Sequence, residues 1–192
     1  MIRPALFALS LAVAPAMAPT ALAADDFRDT LAAALEAYDD GDIQLALEEL
    51  AIASRLLQEM RAESLESFLP PLPEGWSRTV DQDYGSALAM MGGGVGVDAT
   101  YRGPDGDRVQ VTITADSPML GMFGAMFANP AMMGAMGGTV HRIGRERVLE
   151  QNEELTMVLA GRILIQMRGG DVDEMLGMFG AMDLAGLSRF DL

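Results

Sequence analysis

The feature that most constrains the fold is an eight-residue segment, MLGMFGAM, which occurs twice, at residues 119–126 and 175–182. Its methionines and its phenylalanine recur at three- and four-residue spacing, so they share one face of an α-helix, while the glycines and the alanine take the opposite face. A helix with no charge around its circumference is typical of a buried element. We therefore expect each copy to be a helix whose large face packs on a sheet and whose glycine face is covered, either by N-terminal helices or by the other copy.

The similarity between the two copies extends upstream of the helix. In the sequence alignment of the two copies, RVQVTITADSPMLGMFGAM (108–126) aligns without a gap with LIQMRGGDVDEMLGMFGAM (164–182). In the second copy, Asp171 with a glutamate three residues later is typical of a helix N-cap, and in the first copy Asp116 or Ser117 takes that place. The repeated unit is therefore a strand followed by a helix.

Further strands complete each half of this domain. Alternating apolar and polar residues on both sides of GPDGD (103–107) predict a β-hairpin. The strands predicted for the second half are 140–150, 155–159 and 163–167. The first strand of the first half lies within GWSRTVDQDY or SALAMM (75–91). The sequence thus predicts an α+β fold with two β-β-β-α halves, about 76–136 and 137–192, which form one antiparallel sheet with helices on one face.

An antiparallel helical hairpin is predicted over residues 24–69, before the α+β domain of residues 70–192. Apolar residues recur at helical spacing on both sides of DDGD, and the prolines of FLPPLPEGW end the second helix. The residues expected to form its apolar side are Phe27, Leu31, Ala34, Leu35, Tyr38, Ile43, Leu47, Leu50, Ala53, Leu57 and Met60. The segment ALEAYDDGDIQLALEELAIA resembles one tetratricopeptide unit, but one copy cannot form the stacked array of that family. The hairpin must therefore pack against the rest of the chain or against a partner.

The first residues have the features of a secretory signal peptide. Arg3 precedes a short apolar run, and an Ala-x-Ala pattern predicts cleavage after Ala23, with Ala18 as an alternative. We expect residues 1–23 to be removed and the protein to be periplasmic, without a membrane span after cleavage. The chain has no cysteine, so disulfides and thiol chemistry are excluded.

The charge of the exported part restricts its partners. The whole chain has a formal charge of −15, which becomes −16 when Arg3 is removed. A charge this negative repels phosphate backbones and anionic lipid surfaces, so we expect no nucleic-acid partner.

The methionines after the first copy of the repeated segment are the main functional candidates. FANPAMMGAMGG (127–138) is apolar, and Asn-Pro interrupts it, so we expect an adaptable exposed patch that binds an unknown periplasmic protein or an apolar ligand. The candidate partner-binding residues are Met90, Met91, Met132, Met133 and Met136. An alternative is Cu(I) handling by thioether ligands, although the methionines of the repeated segment also fit core positions.

No arrangement of residues indicates a specific reaction or a cofactor. MMGGGVG (90–96) lacks the Gly-Lys-Ser/Thr ending of a phosphate-binding loop, and His141 has no accompanying nucleophile motif. Asp98 and Asp105 are interpreted as turn or cap residues, and Trp76 as an anchor for the linker. The leading hypothesis is a non-enzymatic binding or accessory module without a cofactor, and an enzyme with no recognisable motif is the second alternative.

Several short segments carry a resemblance to a known group of proteins. ESFLPPLPEGW, followed by GGG, TYR, ITADSPML, NPAMM and GGTVHRIG, resembles a family of uncharacterised exported proteobacterial proteins. The resemblance implies a helical hairpin that a leucine- and proline-rich linker joins to a sheet domain. It implies no activity, cofactor or site.

Overall fold

The computed structural model describes residues 19–90, 93–118, 120–121 and 137–190. The chain divides into two compact units, residues 1–56 and residues 57–192. Within the described ranges, no helix is both long and apolar enough to cross a bilayer.

The N-terminal unit contains helix α1 (Pro19–Asp39) and the first part of helix α2 (Ile43–Glu66). Gly41 in the connecting turn has a φ of +81°, a conformation that favours glycine. The backbone N–H of Asp42 donates back to the last turn of α1, and its carboxylate caps α2 by accepting from the N–H of Leu45 at 3.1 Å. The expectation of two N-terminal helices is confirmed.

The C-terminal unit is built on an antiparallel sheet. Its strands in the described residues are β1 (Ser77–Asp81), β2 (Val95–Arg102), β3 (Arg108–Ala115), β4 (Thr139–Ile143), β5 (Glu146–Gln151), β6 (Glu154–Leu159) and β7 (Ile163–Arg168). These seven strands lie in the order β1-β2-β3-β7-β6-β5-β4. The N-terminal and C-terminal strands meet where β3 pairs with β7, with Val111 opposite Met167. An α+β fold with one antiparallel sheet is confirmed.

One face of the sheet carries the hydrophobic core. Alternate residues of the four central strands point to this face and are buried. They are Val95, Val97, Ala99, Tyr101, Val109, Val111, Ile113, Ala115, Leu155, Met157, Leu159, Ile163, Ile165 and Met167. Leu65 from the last turn of α2 and Leu69 after it join the same cluster. The other face of these strands carries mainly polar side chains.

Helix α4 (Val172–Ala181) packs on the core face. Asp171 caps it as predicted, because its carboxylate accepts from the N–H groups of Asp173 and Glu174 at 2.9 and 3.4 Å. The large face of the repeated segment is buried, as expected, through Met175, Met178, Phe179 and Met182. A short helix, α5 (Leu184–Leu187), follows.

The glycine face of α4 differs from the expectation. Gly177, Gly180 and Ala181 are exposed, and a Cβ atom added at either glycine would meet no atom within 4 Å. Within the described residues, the second copy therefore lacks the cover that was expected over this face. Of the first copy, the described residues include only Leu120 and Gly121, both helical.

The segment predicted as one strand over 140–150 forms two strands, β4 and β5. Gly144 has a φ of +60° and allows a tight turn between them, with Ile143 opposite Glu146. One glycine is the only local signal of this turn, so the sequence pattern did not reveal it.

Helix α3 (Tyr84–Met90) corrects a second expectation, that all helices lie on one face. A Cβ at Gly96 would lie 2.6 Å from Cε1 of Tyr84, and the Tyr84 hydroxyl lies 3.0 Å from Oγ1 of Thr114. Gly96 and Thr114 pair with each other and point away from the core face. Helix α3 therefore covers the opposite face from α4, and the uncertain first strand of this domain is β1.

The linker FLPPLPEGW (68–76) is held against the sheet at three points. Leu69 is buried in the core, and the Tyr101 hydroxyl donates to the carbonyl of Pro70 at 2.6 Å. Trp76 is partly buried and packs against the core, as expected for an anchor. The linker is therefore an ordered part of the sheet domain.

Candidate functional site

The methionines predicted to bind a partner cannot be placed. Met90 ends helix α3, but its side chain is not described, and Met91, Met132, Met133 and Met136 lie outside the described residues. Their role therefore stays a prediction.

The helical hairpin exposes an unexpected amount of large apolar surface. In residues 23–56, the buried hydrophobic residues are the alanines Ala34, Ala37, Ala46 and Ala53. The large residues beside them are exposed: Leu31 37%, Leu35 61%, Tyr38 63%, Ile43 52%, Leu47 57% and Leu50 47%. These six residues are called the hairpin apolar face below. The small residues of the predicted apolar side are thus covered, whereas its large residues face solvent.

The six exposed residues form one continuous surface. On each helix they lie about a quarter turn from the buried alanines, in the same rotational sense. In a unit built of two antiparallel helices, we infer from their burial that the alanines are the residues through which the helices face each other, which puts the two rows on the same side of the hairpin. Leu45 and Ile52, which are 43% and 38% exposed, lie about half a turn away on α2.

The hairpin that carries the hairpin apolar face is strongly acidic. Residues 24–56 contain nine Asp and Glu and two Arg, which gives a formal charge of 2 − 9 = −7. The acidic residues are Asp25, Asp26, Asp29, Glu36, Asp39, Asp40, Asp42, Glu48 and Glu49. The hairpin therefore combines exposed large apolar residues with a strongly negative formal charge.

The polar face of the sheet holds a buried carboxylate. Asp98, interpreted from sequence as a turn or cap residue, lies in the middle of β2 and is 7% exposed. It accepts from Nε2 of Gln110 at 2.9 and 3.0 Å and from Oγ1 of Thr112 at 2.6 Å. Gln110 accepts in turn from the Arg168 guanidinium at 3.0 and 3.1 Å. Asp98 thus orients Gln110, which holds Arg168.

A cavity of about 340 Å³ lies beside this network. Its charged lining residues are Arg108, Arg168, Glu153 and Glu154, so opposite charges balance. Gln166 donates to Glu154 at 2.6 Å, and Arg168 is engaged by Gln110. These side chains are hydrogen-bonded to one another, as in a structural network. Because the charges of the lining balance, the cavity favours neither anions nor cations.

Two other polar clusters have clear structural roles. The Asp116 carboxylate accepts from Arg162 at 3.0 Å through both oxygens and from Arg61 at 3.0 Å. His141 contacts Glu150, with Nε2 and Oε2 at 2.6 Å, across the β4–β5 pair. Both clusters connect neighbouring elements.

A larger cavity, of about 620 Å³, lies where the linker meets β1 and the end of α4. We call it the linker cavity. Its wall is mainly apolar, from Phe68, Leu69, Pro71, Leu72 and Ala181, with Arg78 and Asp183 as its charged residues. This volume falls within the ~300–1,000 Å³ of small-molecule sites. Sequence reasoning missed Arg78 and Asp183, because they are distant in the chain and neither belongs to a motif.

Two groups have pKa values raised by their surroundings. Burial raises the pKa of Tyr101, while the hydrogen bond and the charge of Arg78 oppose the shift. Partial burial also raises the pKa of Glu174, with added repulsion from Asp107 and Asp171. Neither group is paired with a nucleophile, so both shifts reflect local packing.

The part of the chain that the structure describes contains no cluster of three or more His, Cys, Asp or Glu residues placed to hold a metal ion. Comparisons of the whole chain with protein-family models, with curated proteins and with solved structures find no match.

Proposed function

We propose that this protein is a non-enzymatic binding or accessory module of the periplasm, and that its hairpin apolar face binds a basic amphipathic helix of a partner protein. The observation that carries the proposal is the exposure of six large apolar side chains on one side of a hairpin whose alanines are buried. Export after cleavage behind Ala23 is part of the same proposal, and it rests on the N-terminal sequence.

The size of the surface supports a binding role. Six side chains that are about half exposed present roughly 500 Å² of apolar surface, within the ~300–600 Å² of the largest patches on monomeric proteins, which are often functional. Exposed rows at three- and four-residue spacing on two antiparallel helices suit the apolar face of a third helix.

The charge of the hairpin selects the partner's chemistry. A formal charge of −7 on residues 24–56 attracts a helix with lysine or arginine on its polar face. The same charge disfavours a second copy of this chain, because two surfaces of −7 would be brought together. A basic partner helix satisfies both the apolar and the electrostatic requirement.

The proposal is tested with a labelled 18-residue peptide that has leucine on one helical face and lysine on the other. Fluorescence anisotropy should show saturable binding in the micromolar range, weakened by salt. The same peptide with glutamate in place of lysine should not bind. Equal binding of both peptides, or no binding of either, would contradict the proposal.

Matched variants locate the binding surface. Leu35→Ser with Leu47→Ser removes two residues of the hairpin apolar face, and it should weaken peptide binding at least tenfold with helix content retained by circular dichroism. Leu45→Ser with Ile52→Ser makes the same chemical change away from this face and should change affinity less than twofold. If both double variants lose affinity equally, the proposed occupant is wrong. It is also wrong if sedimentation shows that the unmodified protein is a dimer and that Leu35→Ser with Leu47→Ser makes it a monomer.

The methionines remain part of the proposal as a second contact surface. Met90, Met91, Met132, Met133 and Met136 come from segments rich in methionine and glycine, which suit adaptable contacts. A loss of peptide affinity in Met132→Ser with Met133→Ser would extend the binding surface to this segment.

We also propose that the sheet domain arose by duplication of a β-β-β-α unit. Strand pairing supports the alignment of the two copies, because Ala99 pairs with Val111 in the first half and their aligned counterparts, Leu155 and Met167, pair in the second. Val111 also pairs with Met167, its own counterpart in the alignment, as a two-fold axis between β3 and β7 requires.

The carboxylate–glutamine pairs on the polar face obey the same alignment. Gln110 donates to Asp98, and Gln166 donates to Glu154, which are the aligned positions of the second half. Chance would not readily place the same hydrogen bond at aligned positions in both halves, so these pairs support common ancestry.

The outer strands fit the duplication with one insertion. Thr79 pairs with Thr100, and Leu149 pairs with Thr156, the aligned counterpart of Thr100, so β5 corresponds to β1. The connection from β1 to β2 is longer than the turn from β5 to β6, and the additional residues are those that contain α3. Strand β4 then has no counterpart in the first half.

A further inference from the structure

The linker cavity has a rigid apolar wall. Leu69 is buried, the carbonyl of Pro70 accepts from Tyr101 at 2.6 Å, and the Phe68 ring packs edge-on against Phe190 at 5.9 Å between centroids. Leu72 is nonetheless 51% exposed on the cavity side of this fixed segment. An apolar surface is therefore held in place without being covered.

Arg78 places a cation with unused donors at the same wall. Its hydrogen bond to the Tyr101 hydroxyl is long, at 3.5 Å, and its distance to the Glu66 carboxylate is 3.9 Å, beyond hydrogen-bond range. The side chain is 31% exposed. Since a guanidinium has five N–H donors, most of the donors of Arg78 have no partner among the described residues.

Asp183 supplies the opposite charge. One of its oxygens, Oδ1, accepts from the N–H of Gly186 at 2.8 Å and caps α5, and the residue is exposed. In the described part of the chain, no arginine lies within 4.0 Å of this carboxylate, so Asp183 and Arg78 do not neutralise each other directly. The cavity thus has an apolar floor between separated positive and negative groups.

We infer that the linker cavity binds a short apolar peptide of two residues with free termini. Its carboxylate would pair with Arg78, its ammonium would pair with Asp183, and its side chains would lie on Phe68, Pro71 and Leu72. An extended dipeptide is about 7 Å long, and a cavity of about 620 Å³ has room for it. Each terminus would gain a charge-assisted hydrogen bond, which is about twice as strong as a neutral one.

Calorimetric titration of the purified protein with three ligands tests the inference. Leu-Leu has both charges, N-acetyl-Leu-Leu lacks the ammonium and Leu-Leu-amide lacks the carboxylate. Leu-Leu should bind with saturation, and each blocked form should bind about tenfold more weakly or worse, because each loses one charged hydrogen bond. No saturable binding of Leu-Leu, or equal binding of all three ligands, would overturn the inference.

Variants assign each charge to its partner. Arg78→Gln should reduce the affinity for Leu-Leu about tenfold and should not reduce the affinity for Leu-Leu-amide further. Asp183→Asn keeps a side chain that can cap α5. It should reduce the affinity for Leu-Leu about tenfold and should not reduce the affinity for N-acetyl-Leu-Leu further. The matched controls Arg147→Gln on β5 and Asp171→Asn at the start of α4 should leave all affinities unchanged.

The opposite outcomes are also informative. If Arg78→Gln weakens Leu-Leu and Leu-Leu-amide equally, Arg78 does not bind the carboxylate and the inference fails. If either variant unfolds at the assay temperature, the three-ligand comparison on the unmodified protein decides alone. Failure of this site leaves the hairpin proposal intact, because the two assays use different ligands and different units of the chain.

Discussion

Tyr101 is the residue that most clearly connects the linker to the sheet. Its ring is fully buried in the core, and its hydroxyl donates to the carbonyl of Pro70 at 2.6 Å. The alternating pattern of β2 predicted that Tyr101 points inward, as it does. The bond to Pro70 could not be predicted, because the two residues are 31 positions apart and any nearby carbonyl would satisfy a tyrosine.

Tyr101→Phe should destabilise the protein by about 1–2 kcal/mol at pH 8, because the Pro70 carbonyl loses its buried donor. Burial raises the pKa of Tyr101 above its ordinary value near 10. Folding therefore favours the protonated phenol, and this contribution is fully present below pH 10 and is lost as the pH rises above it. Urea unfolding of both proteins should show the stability difference shrinking between pH 9 and pH 11.

Tyr38 provides the control for loss of a tyrosine hydroxyl. It is 63% exposed, so Tyr38→Phe should change the free energy of unfolding little. A Tyr101→Phe difference that grows above pH 10 would contradict the assigned role.

At the scale of elements, the turns and the sheet face that each helix covers were harder to predict than the strands and helices themselves. The N-cap at Asp171 was predicted correctly, because an aspartate before a helical apolar pattern has a local physical cause. The turn at Gly144 was missed, since one glycine is its only local signal. The position of α3 was also missed, because which face a helix covers depends on the partner strands.

Two glycine substitutions test whether α3 covers β2 and whether the glycine face of α4 is exposed. In Gly96→Ala, the new Cβ would lie 2.6 Å from Tyr84 and 3.2 Å from the carbonyl of Ile113, so α3 must shift, and the loss should be about 1–3 kcal/mol. In Gly177→Ala, the new Cβ meets nothing within 4 Å in a helix, so the protein should gain up to about 1 kcal/mol. Thermal unfolding of both variants measures the contrast.

Opposite signs for the two substitutions are the expected result. A stable Gly96→Ala protein would mean that α3 does not cover β2. A destabilised Gly177→Ala protein would mean that the glycine face of α4 is covered after all, as the sequence alone suggested.

At the scale of the whole molecule, the repeated segment predicted the alignment that the strand pairing also follows. It could not predict helix α3 or strand β4, because neither has a second copy in the sequence. The linker cavity was also hidden from sequence reasoning, whereas the residues of the hairpin apolar face were predicted as part of an apolar side whose exposure the sequence did not specify. Exposure of Leu35 and Leu47 depends on how the alanine sides of two helices pack, which apolar spacing alone does not specify.

The proposed duplication makes a prediction about the first copy of the repeated segment. Phe179 is fully buried, so Phe179→Ala should cost about 3–5 kcal/mol. If the two halves are equivalent, Phe123→Ala should cost a similar amount, although position 123 lies outside the described residues. Urea unfolding measures both, and a nearly neutral Phe123→Ala would contradict the equivalence.

Binding of a basic amphipathic helix by the hairpin apolar face is the central claim, and amide hydrogen exchange with and without the leucine–lysine peptide tests it most directly. Peptide binding should slow exchange severalfold in residues 31–38 and 43–50, and it should leave strands β2, β3, β6 and β7 unchanged. Unchanged exchange in both hairpin segments under saturating peptide, or protection confined to the sheet, would contradict the claim.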